Sequence, residues 1–263
     1  MADALIGYSG YIGSTLLKQM SFQYLFRSKN IGDINGRLIN KALCTAAPAQ
    51  KWIANREPEV DRQNIEGLIG HLKTVQCQIF ILISTVDVFK HPFSVNEDTP
   101  VDEDGLQPYG LHRRHLETFV ESQFPQHLIV RLPGLVGPGL RKNVIFDFLN
   151  DNNLDAIDSR GVFQFYPMVN LWYDIQTALQ AQLSLVHLTA EPISVAEVAR
   201  DGFGRVFEHT LSNPPARYDF QSKHAALFGG HGVHQYSKRE TLQAIRAYAQ
   251  SEPPTLKTAG AGG

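Results

Sequence analysis

The stretch Ala4-Leu-Ile-Gly-Tyr-Ser-Gly-Tyr-Ile-Gly-Ser-Thr-Leu-Leu17 joins an apolar run to an amphipathic run through Gly7, Gly10 and Gly13. Gly7 lets the chain turn sharply out of a strand, Gly10 leaves room for a pyrophosphate beside the backbone, and Gly13 lets the helix pack closely. The free N–H groups at the start of that helix attract an anion. The stretch therefore predicts a βαβ unit whose first turn binds a dinucleotide.

Bulk composition narrows the class of protein. A chain of 263 residues suffices for one doubly wound domain with a small appendage, and 43% hydrophobic with 19% charged residues is typical of a globular protein. The balance of 24 basic and 26 acidic residues gives no electrostatic case for nucleic acid or an anionic membrane. Asp3 interrupts the N-terminal apolar run, and no stretch approaches the roughly 20 apolar residues of a membrane span, so we expect a cytoplasmic protein. Cys44 and Cys77 lie in apolar runs and are expected to be reduced.

Apolar runs alternate with amphipathic stretches up to about residue 190. The predicted strands after the first are Phe22–Phe26, Ala42–Ala46, Ile79–Ser84, Leu128–Leu132 and Leu185–Leu188. The unbroken run Ile79–Ile83 indicates burial on both faces of a sheet, as in a parallel sheet covered by helices. The sequence thus predicts an α/β fold, a Rossmann-type doubly wound parallel sheet with a small, partly helical C-terminal lobe.

The pattern loosens beyond Gly139. Helices are predicted around Val144–Leu149 and Leu171–Leu183, and the capping boxes that begin at Ser194 and Ser237 predict two later helices. We therefore expect residues 1–140 to form a dinucleotide-binding core, which a late strand near 185–189 rejoins, and 141–250 to form a smaller substrate-binding lobe. Residues 251–263, rich in Pro, Ala and Gly, are expected to be disordered.

Four further segments, taken in order, strengthen the glycine signal. They are Ala46-Ala47 with Asn64 opening the next helix, Ile83-Ser-Thr-Val-Asp-Val-Phe89, Tyr109-Gly-Leu-His-Arg-Arg-His-Leu-Glu117 and Val130-Arg-Leu-Pro-Gly-Leu-Val-Gly-Pro-Gly139. With them the chain resembles the extended short-chain dehydrogenase/reductases, the NAD(P)-dependent epimerase/dehydratase family, which acts mostly on nucleotide sugars. The resemblance covers residues 2 to about 200.

The resemblance implies catalytic roles for three residues. Tyr109 aligns with the family's tyrosine, a phenol that exchanges a proton with a carbinol or carbonyl oxygen once a neighbouring cation lowers its pKa. Thr85 aligns with the hydroxyl residue that hydrogen-bonds the same oxygen. Arg113 stands where the family has lysine, and its planar guanidinium does not simply replace an ammonium. Arg113 is thus either an electrostatic modulator of Tyr109 or a solvated helix arginine, and the residues His112, Arg113, Arg114 and His115 are expected on an exposed helix face.

Cofactor choice depends on the end of the second strand. Arg27, Ser28 and Lys29 offer two cations and a hydroxyl that could pair with a 2′-phosphate, where NAD-preferring relatives carry an acid, so NADP is favoured and NAD is the alternative. An exposed basic loop without a ligand is the plain alternative. The full set of predicted cofactor-binding residues is Gly7, Gly10, Tyr11, Ile12, Gly13, Arg27, Ser28, Lys29, Ala46, Ala47 and Pro133.

Signals for the substrate are fewer. Asp87 follows Thr85 by two residues, near the acidic pair that the family's dehydratases carry, but Val86 fills the partner position, which favours reduction or epimerisation over elimination. Asp87 could instead cap a loop. Arg141, Lys142 and Asn143 precede a helix and could bind a diphosphate, or form a solvated loop. No metal is expected, because His231 and His234 lack further ligands at metal-site spacing.

These predictions combine into a function. We expect an NADP(H)-dependent oxidoreductase that transfers hydride at a keto or secondary alcohol carbon, with a nucleotide sugar as the small-molecule substrate and reductases of 4-keto sugars slightly favoured over epimerases. The alternatives are a non-catalytic dinucleotide-binding sensor or scaffold with a relaxed active site, and a reductase of a non-nucleotide specialised metabolite. The sequence leaves open whether the protein forms a homodimer through the helices around 64–74 and 109–122.

Overall fold

The computed structural model describes residues 2–254. Within that range the strands are β1 (Ala2–Ile6), β2 (Tyr24–Phe26), β3 (Leu38–Cys44), β4 (Gln76–Thr85), β5 (Phe93–Val95), β6 (His127–Leu132), β7 (Gly134–Val136), β8 (Val162–Phe163), β9 (Phe165–Pro167), β10 (Leu185–His187), β11 (Ile193–Ser194) and β12 (Asp219–Phe220). The helices are α1 (Tyr11–Gln19), α2 (Lys51–Arg56), α3 (Pro58–Leu72), α4 (Pro108–Gln123), α5 (Val144–Asn150), α6 (Leu171–Gln180), α7 (Val195–Glu197) and α8 (Lys238–Ser251).

Six strands form a central parallel sheet in the order β10-β6-β4-β3-β1-β2. The chain starts on β1, adds β2 on one side and then crosses to β3 on the other, so the topological switch point lies between β1 and β3. Ligands of open α/β sheets bind in the crevice beyond the carboxyl ends of the strands at such a point. The fold predicted from the sequence is confirmed.

Helices cover both faces of the sheet, as the unbroken apolar run in β4 predicts. On one face α3 and α4 bury residues such as Ile65 and Leu116 against β1, β3 and β4. On the other face α1 and α6 bury residues such as Leu16 and Ile175. All five predicted strands are present, although β3 begins at Leu38, earlier than expected.

The residues beyond β6 build a second core around α5, α8 and the strand β9, with Phe148, Phe165 and Ile245 buried in it. Both predicted capping boxes are present, at Ser194 and Ser237. The first box begins only a short helix that passes into a π-turn over Val198–Gly202, whereas the second begins α8. The predicted late strand is β10, which pairs with β6. The boundary at residue 140 stays a prediction.

The C-terminal segment differs in part from expectation. Helix α8 continues to Ser251, and Glu252 accepts a hydrogen bond from the Gly139 N–H group at 3.0 Å. The start predicted for the disordered tail at residue 251 is therefore wrong, because this contact ties the helix end to the turn at Gly139. The rest of the predicted tail, from 255 onward, lies outside the described residues. Over the part of the chain that the structure does describe, none of the helices combines the length and apolar character needed to cross a membrane.

Candidate functional site

The glycine turn follows β1 at the carboxyl edge of the sheet. Gly7 has φ of +90°, and a Cβ there would lie 2.7 Å from Thr45 Oγ1. A Cβ on Gly13 would collide with the Gly7 carbonyl oxygen and lie 2.7 Å from Tyr8 Cα, so the protein itself requires glycine at both positions. A Cβ on Gly10 would meet the Gly7 carbonyl oxygen at an ordinary 3.5 Å. The fold thus tolerates a side chain at Gly10 but not at Gly7 or Gly13.

The other predicted cofactor residues lie along the same edge. Arg27, Ser28 and Lys29 are exposed after β2, and the Arg27 guanidinium lies 5.7 Å from the centre of the Tyr8 ring, beside the glycine turn. Ala46, Ala47 and Pro133 follow β3 and β6 and are half-buried. This arrangement brings the cations and the glycine turn to one crevice.

Tyr11 and Ile12 contribute to the turn in different ways. The Tyr11 hydroxyl donates a hydrogen bond to the Gly137 carbonyl oxygen at 3.1 Å, so the side chain ties α1 to the segment after β7. Burial raises the pKa of Tyr11, which therefore stays a protonated donor. Ile12 packs against the apolar cluster between α1 and α6. Both side chains therefore hold the turn in place, which leaves their N–H groups as the atoms that face a ligand.

Thr85 and Tyr109 come together as the sequence predicts. Thr85 ends β4, and its Oγ1 accepts the Asp87 N–H group at 3.1 Å; the same hydroxyl lies near enough to the Tyr109 phenol to lower its pKa. Tyr109 follows Pro108 in the first turn of α4, and its N–H group donates to Asn55 Oδ1 at 2.9 Å. Both side chains are half-buried. The pair has the geometry for joint contact with one substrate oxygen.

Gly110 is a site residue that the sequence reading missed. A Cβ there would collide with the Asp87 carbonyl oxygen, so only glycine lets the start of α4 lie against the Thr85–Asp87 segment. The signal was present: a glycine next to the tyrosine in a helix costs about 1 kcal/mol relative to alanine, and such a cost needs a packing reason.

The expectation of an exposed helix face is wrong for His112 and Arg113. Arg113 is 2% exposed, and its guanidinium forms a bidentate ion pair with Asp61 of α3, with Nη2 to Oδ1 at 2.8 Å. It also donates to the carbonyl oxygens of Pro48 and Tyr109. His112 is buried as well and contacts Asp61 through Nδ1 at 2.7 Å. Partnering by a buried carboxylate explains why these polar groups can leave water.

Arg113 nevertheless reaches Tyr109. Its guanidinium carbon lies 4.0 Å from the centre of the Tyr109 ring. Burial raises the pKa of Tyr109 above its usual value, the positive charge of Arg113 opposes this rise, and the Asp87 carboxylate adds to it. Tyr109 is therefore a protonated phenol at neutral pH, ready to donate rather than accept a proton.

Asp87 is neither a simple loop cap nor an isolated carboxylate. Its Oδ1 lies 2.7 Å from Nζ of Lys51, the first residue of α2, and 3.4 Å from the Tyr218 hydroxyl, while its Oδ2 accepts a 3.4 Å hydrogen bond from Thr85. Lys51 and Tyr218 were missed from the sequence. Nothing in their spacing connects them to the Thr85–Tyr109 motif, since each reaches the site only through the fold.

The predicted substrate segment is partly occupied by the protein's own contacts. Asn143 caps α5, since its side chain accepts the Ile145 N–H group and donates to the Leu135 carbonyl oxygen, both at 2.9 Å. Lys142 donates to the Ala49 carbonyl oxygen, and Arg141 is exposed. Of the three, Arg141 and Lys142 present cations to solvent.

Two clefts flank this region. One, of about 520 Å³, is lined by Lys90, His91, Arg217 and Tyr218, and so adjoins Asp87 through the Tyr218 side chain. The other, of about 380 Å³, runs from Asn143 past Phe163 and is mainly apolar. A basic cleft beside an apolar one suits a ligand with both anionic and ring-shaped parts.

A buried ionic group lies beneath the site. Glu117 of α4 is fully buried and accepts from Arg131 of β6, with Oε2 to Nη2 at 2.7 Å, and from the Ser84 hydroxyl. Arg131 Nη1 lies 3.4 Å from His187 Nε2 on β10. Burial, aided by the Arg131 charge, lowers the pKa of His187 to about 3. The group fixes α4, and with it Tyr109, on the sheet.

Comparison with known proteins identifies the fold. The structure is similar to dTDP-4-dehydrorhamnose reductase from Clostridium acetobutylicum (18% identity, covering 95% of this chain and 99% of that chain, TM-score 0.71). It is also similar to the enzyme of that name from Bacillus anthracis in complex with NADP (17%, 95% and 98%, 0.73) and to UDP-glucose 4-epimerase from Thermotoga maritima with UDP-glucose (15%, 95% and 98%, 0.69). No family model and no curated protein matches the sequence. The chain therefore has the fold of these sugar-nucleotide enzymes.

Proposed function

We propose that the protein is an NADP(H)-dependent oxidoreductase of the short-chain dehydrogenase/reductase type, acting at a keto or secondary alcohol carbon of a nucleotide sugar. The observation that carries this proposal is the pairing of Thr85, at the end of β4, with Tyr109, in the first turn of α4, at the carboxyl edge of a doubly wound sheet, on the same edge as the glycine turn. Fold neighbours named as a reductase crystallised with NADP and as an epimerase support the same chemistry.

The glycine turn fits a dinucleotide. The backbone at Gly10, which carries no side chain, and the start of α1 would hold the pyrophosphate, and Arg27 with Ser28 and Lys29 would hold a 2′-phosphate, which favours NADP over NAD. Ala46, Ala47 and Pro133 would line the crevice. When bound, the dinucleotide supplies or takes the hydride.

Tyr109 and Thr85 handle the proton. In reduction, Tyr109 donates its phenol proton to the carbonyl oxygen of the substrate, while the Thr85 hydroxyl hydrogen-bonds that oxygen and stabilises its developing charge. In oxidation, Tyr109 would first have to lose its phenol proton before it could take the proton of the substrate hydroxyl. Because Tyr109 is protonated at neutral pH, the reductive direction needs no prior activation.

The substrate would lie between the sheet edge and the C-terminal lobe. Arg141 and Lys142, with the cations of the basic cleft, would bind the diphosphate, and Asp87 lies within reach of the sugar. A cytoplasmic location follows from that class of substrate. Helices α3 and α4 pack on each other within the chain, and their outer faces are where a homodimer would form.

A second candidate function is a non-catalytic dinucleotide-binding sensor. The Arg113–Asp61 ion pair favours it, because a cation committed to a structural partner serves Tyr109 less well than a free lysine.

Tyr109→Phe tests the two functions against each other. We expect this variant to keep NADPH binding and to lose at least about a hundredfold in kcat for a 4-keto nucleotide sugar, because only the proton donor is removed. Binding is measured by fluorescence titration and turnover by NADPH oxidation. Tyr173→Phe, which alters an exposed tyrosine on α6, is the matched control and should retain both. Turnover unchanged in Tyr109→Phe would refute the proposed function, and cofactor binding without turnover in the wild type would favour the sensor.

A further inference from the structure

The cation expected next to the tyrosine is already committed. Arg113 donates two hydrogen bonds to Asp61, whose side chain is 4% exposed, and its guanidinium is equally buried. A guanidinium in this position keeps its proton under all ordinary conditions. Arg113 can attract a phenolate electrostatically, but it cannot deliver a proton to Tyr109.

Lys51 has the properties that Arg113 lacks. Its ammonium lies 2.7 Å from Asp87, and its side chain is 46% exposed, so it contacts both the site and water. Partial burial lowers the pKa of Lys51, and the charges and hydrogen bonds of Asp87 and Tyr218 outweigh this effect. Lys51 is therefore charged at neutral pH and is the solvent end of a chain of polar groups that leads towards Tyr109.

That chain has three links. Lys51 Nζ contacts Asp87 Oδ1, the Thr85 hydroxyl donates to Asp87 Oδ2 at 3.4 Å, and the Thr85 hydroxyl lies near enough to the Tyr109 phenol to lower its pKa. The charged and titratable groups that face Asp87 and Tyr109 from the surrounding elements are Lys51 of α2, Arg113 of α4, Tyr218 and Lys142. Among these groups, Lys51 combines direct contact with Asp87 and access to solvent.

We propose that Lys51 and Asp87 form a proton relay that serves Tyr109 through Thr85, in place of the lysine that the Tyr109–Arg113 motif lacks. The inference rests on the proposed function. After Tyr109 gives its proton to the substrate oxygen, Lys51 gives a proton to the Asp87 carboxylate, the carboxyl group turns to present that proton to Thr85, and Thr85 takes it as its own hydroxyl proton passes to the phenolate. Lys51 then regains a proton from water, so each reduction consumes one solvent proton and leaves every side chain as it began.

The first test needs neither cofactor nor substrate. Titration of Tyr109 is followed by the near-ultraviolet absorbance of the phenolate, as the difference between a variant and the same variant carrying Tyr109→Phe. Lys51→Met should raise the pKa of Tyr109 by about one unit, since a nearby positive charge is lost. Asp87→Asn should lower it, and Lys51→Arg should leave it unchanged. Shifts of the Tyr109 pKa in opposite directions for Lys51→Met and Asp87→Asn would show that the charges act on Tyr109, because a structural disturbance has no reason to change sign between two contacting residues.

The second test separates charge from proton delivery. In the reduction assay, Lys51→Met and Lys51→Arg should both lower kcat about tenfold or more, with the substrate KM unchanged, because arginine keeps the charge but does not release its proton. The loss in Lys51→Met should deepen as pH rises. Arg56→Met removes another exposed cation from α2, one paired with Glu57, and should behave as wild type.

The outcomes are distinct. Wild-type kcat in Lys51→Arg would overturn the relay, and an unchanged Tyr109 titration in Lys51→Met would overturn the coupling on which it depends. Absence of turnover in the wild type would refute the proposed function instead, and the titration would still decide whether Lys51 acts on Tyr109.

Discussion

Asp61→Asn probes the buried ion pair that holds Arg113 beside Tyr109. Asp61 accepts two hydrogen bonds from Arg113 and contacts His112, and the side chains of Asp61 and Arg113 are 4% and 3% exposed. Removal of one partner from a buried pair costs about 3–5 kcal/mol, because the other charge stays buried without compensation. Asparagine keeps one acceptor oxygen at the same place, so we expect the lower end, about 3 kcal/mol.

Urea unfolding followed by circular dichroism measures this loss, as a lower midpoint with an unchanged slope. A loss of about 3 kcal/mol is a large share of the 5–15 kcal/mol that stabilises ordinary domains. Glu59→Gln is the matched control on the same helix: Glu59 pairs with Arg62 in solvent, and its removal should leave the midpoint unchanged.

Two results would refute the reasoning. A loss below about 1 kcal/mol in Asp61→Asn would mean that Arg113 is not held as a buried, uncompensated charge. The apolar double variant Asp61→Leu/Arg113→Met should be more stable than Asp61→Asn, because it leaves no buried charge without a partner. If it is not, then the pair stabilises the protein through the shape of its side chains and not through their charges. The Asp61→Asn variant also changes the titration of Tyr109: because the negative charge of Asp61 is lost, the pKa of Tyr109 should fall.

The glycine turn and His187 give the remaining predictions. Gly13→Ala should lower the free energy of unfolding in urea by about 1–3 kcal/mol, because its Cβ meets the Gly7 backbone. Gly10→Ala should leave the stability unchanged and weaken NADPH binding at least tenfold. Equal losses of stability in the two variants would contradict these different roles of the two glycines. His187 is neutral when folded, with a pKa of about 3 against 6.5 unfolded, so protonation favours unfolding and stability should fall as pH drops from about 6.5 towards 3, by at most about 1.4 kcal/mol per unit. The His187→Asn variant should lose less stability than the wild type between about pH 6.5 and pH 3. If the two proteins lose stability equally over this range, His187 is not the group responsible.

Local patterns explain why the sheet was predictable. Glycine spacing, unbroken apolar runs and helical periodicity act within about ten residues, and each marks an element that the structure contains. The site was harder to predict because the residues that contact each other in it are remote in sequence. Asp61 lies 52 residues from Arg113, so the arginine looked solvated beside Arg114, and the Tyr218 contact with Asp87 spans 131 residues. Burial of a charge is decided by such distant partners, and no helical period reports it.

The strand order explains how Lys51 reaches a site centred on β4 and α4. Because the chain crosses from β2 to β3 on the far side of β1, the segment that leaves β3 lies between the glycine turn and Thr85 at the carboxyl edge. That segment runs from Ala46 to Lys51 and begins α2, whose Asn55 accepts the Tyr109 N–H group. One short connection therefore lines the crevice, orients the tyrosine and places a solvent-exposed ammonium on Asp87. A cation at this position can serve Tyr109 from outside α4, which frees position 113 to become part of the buried ion pair between α3 and α4.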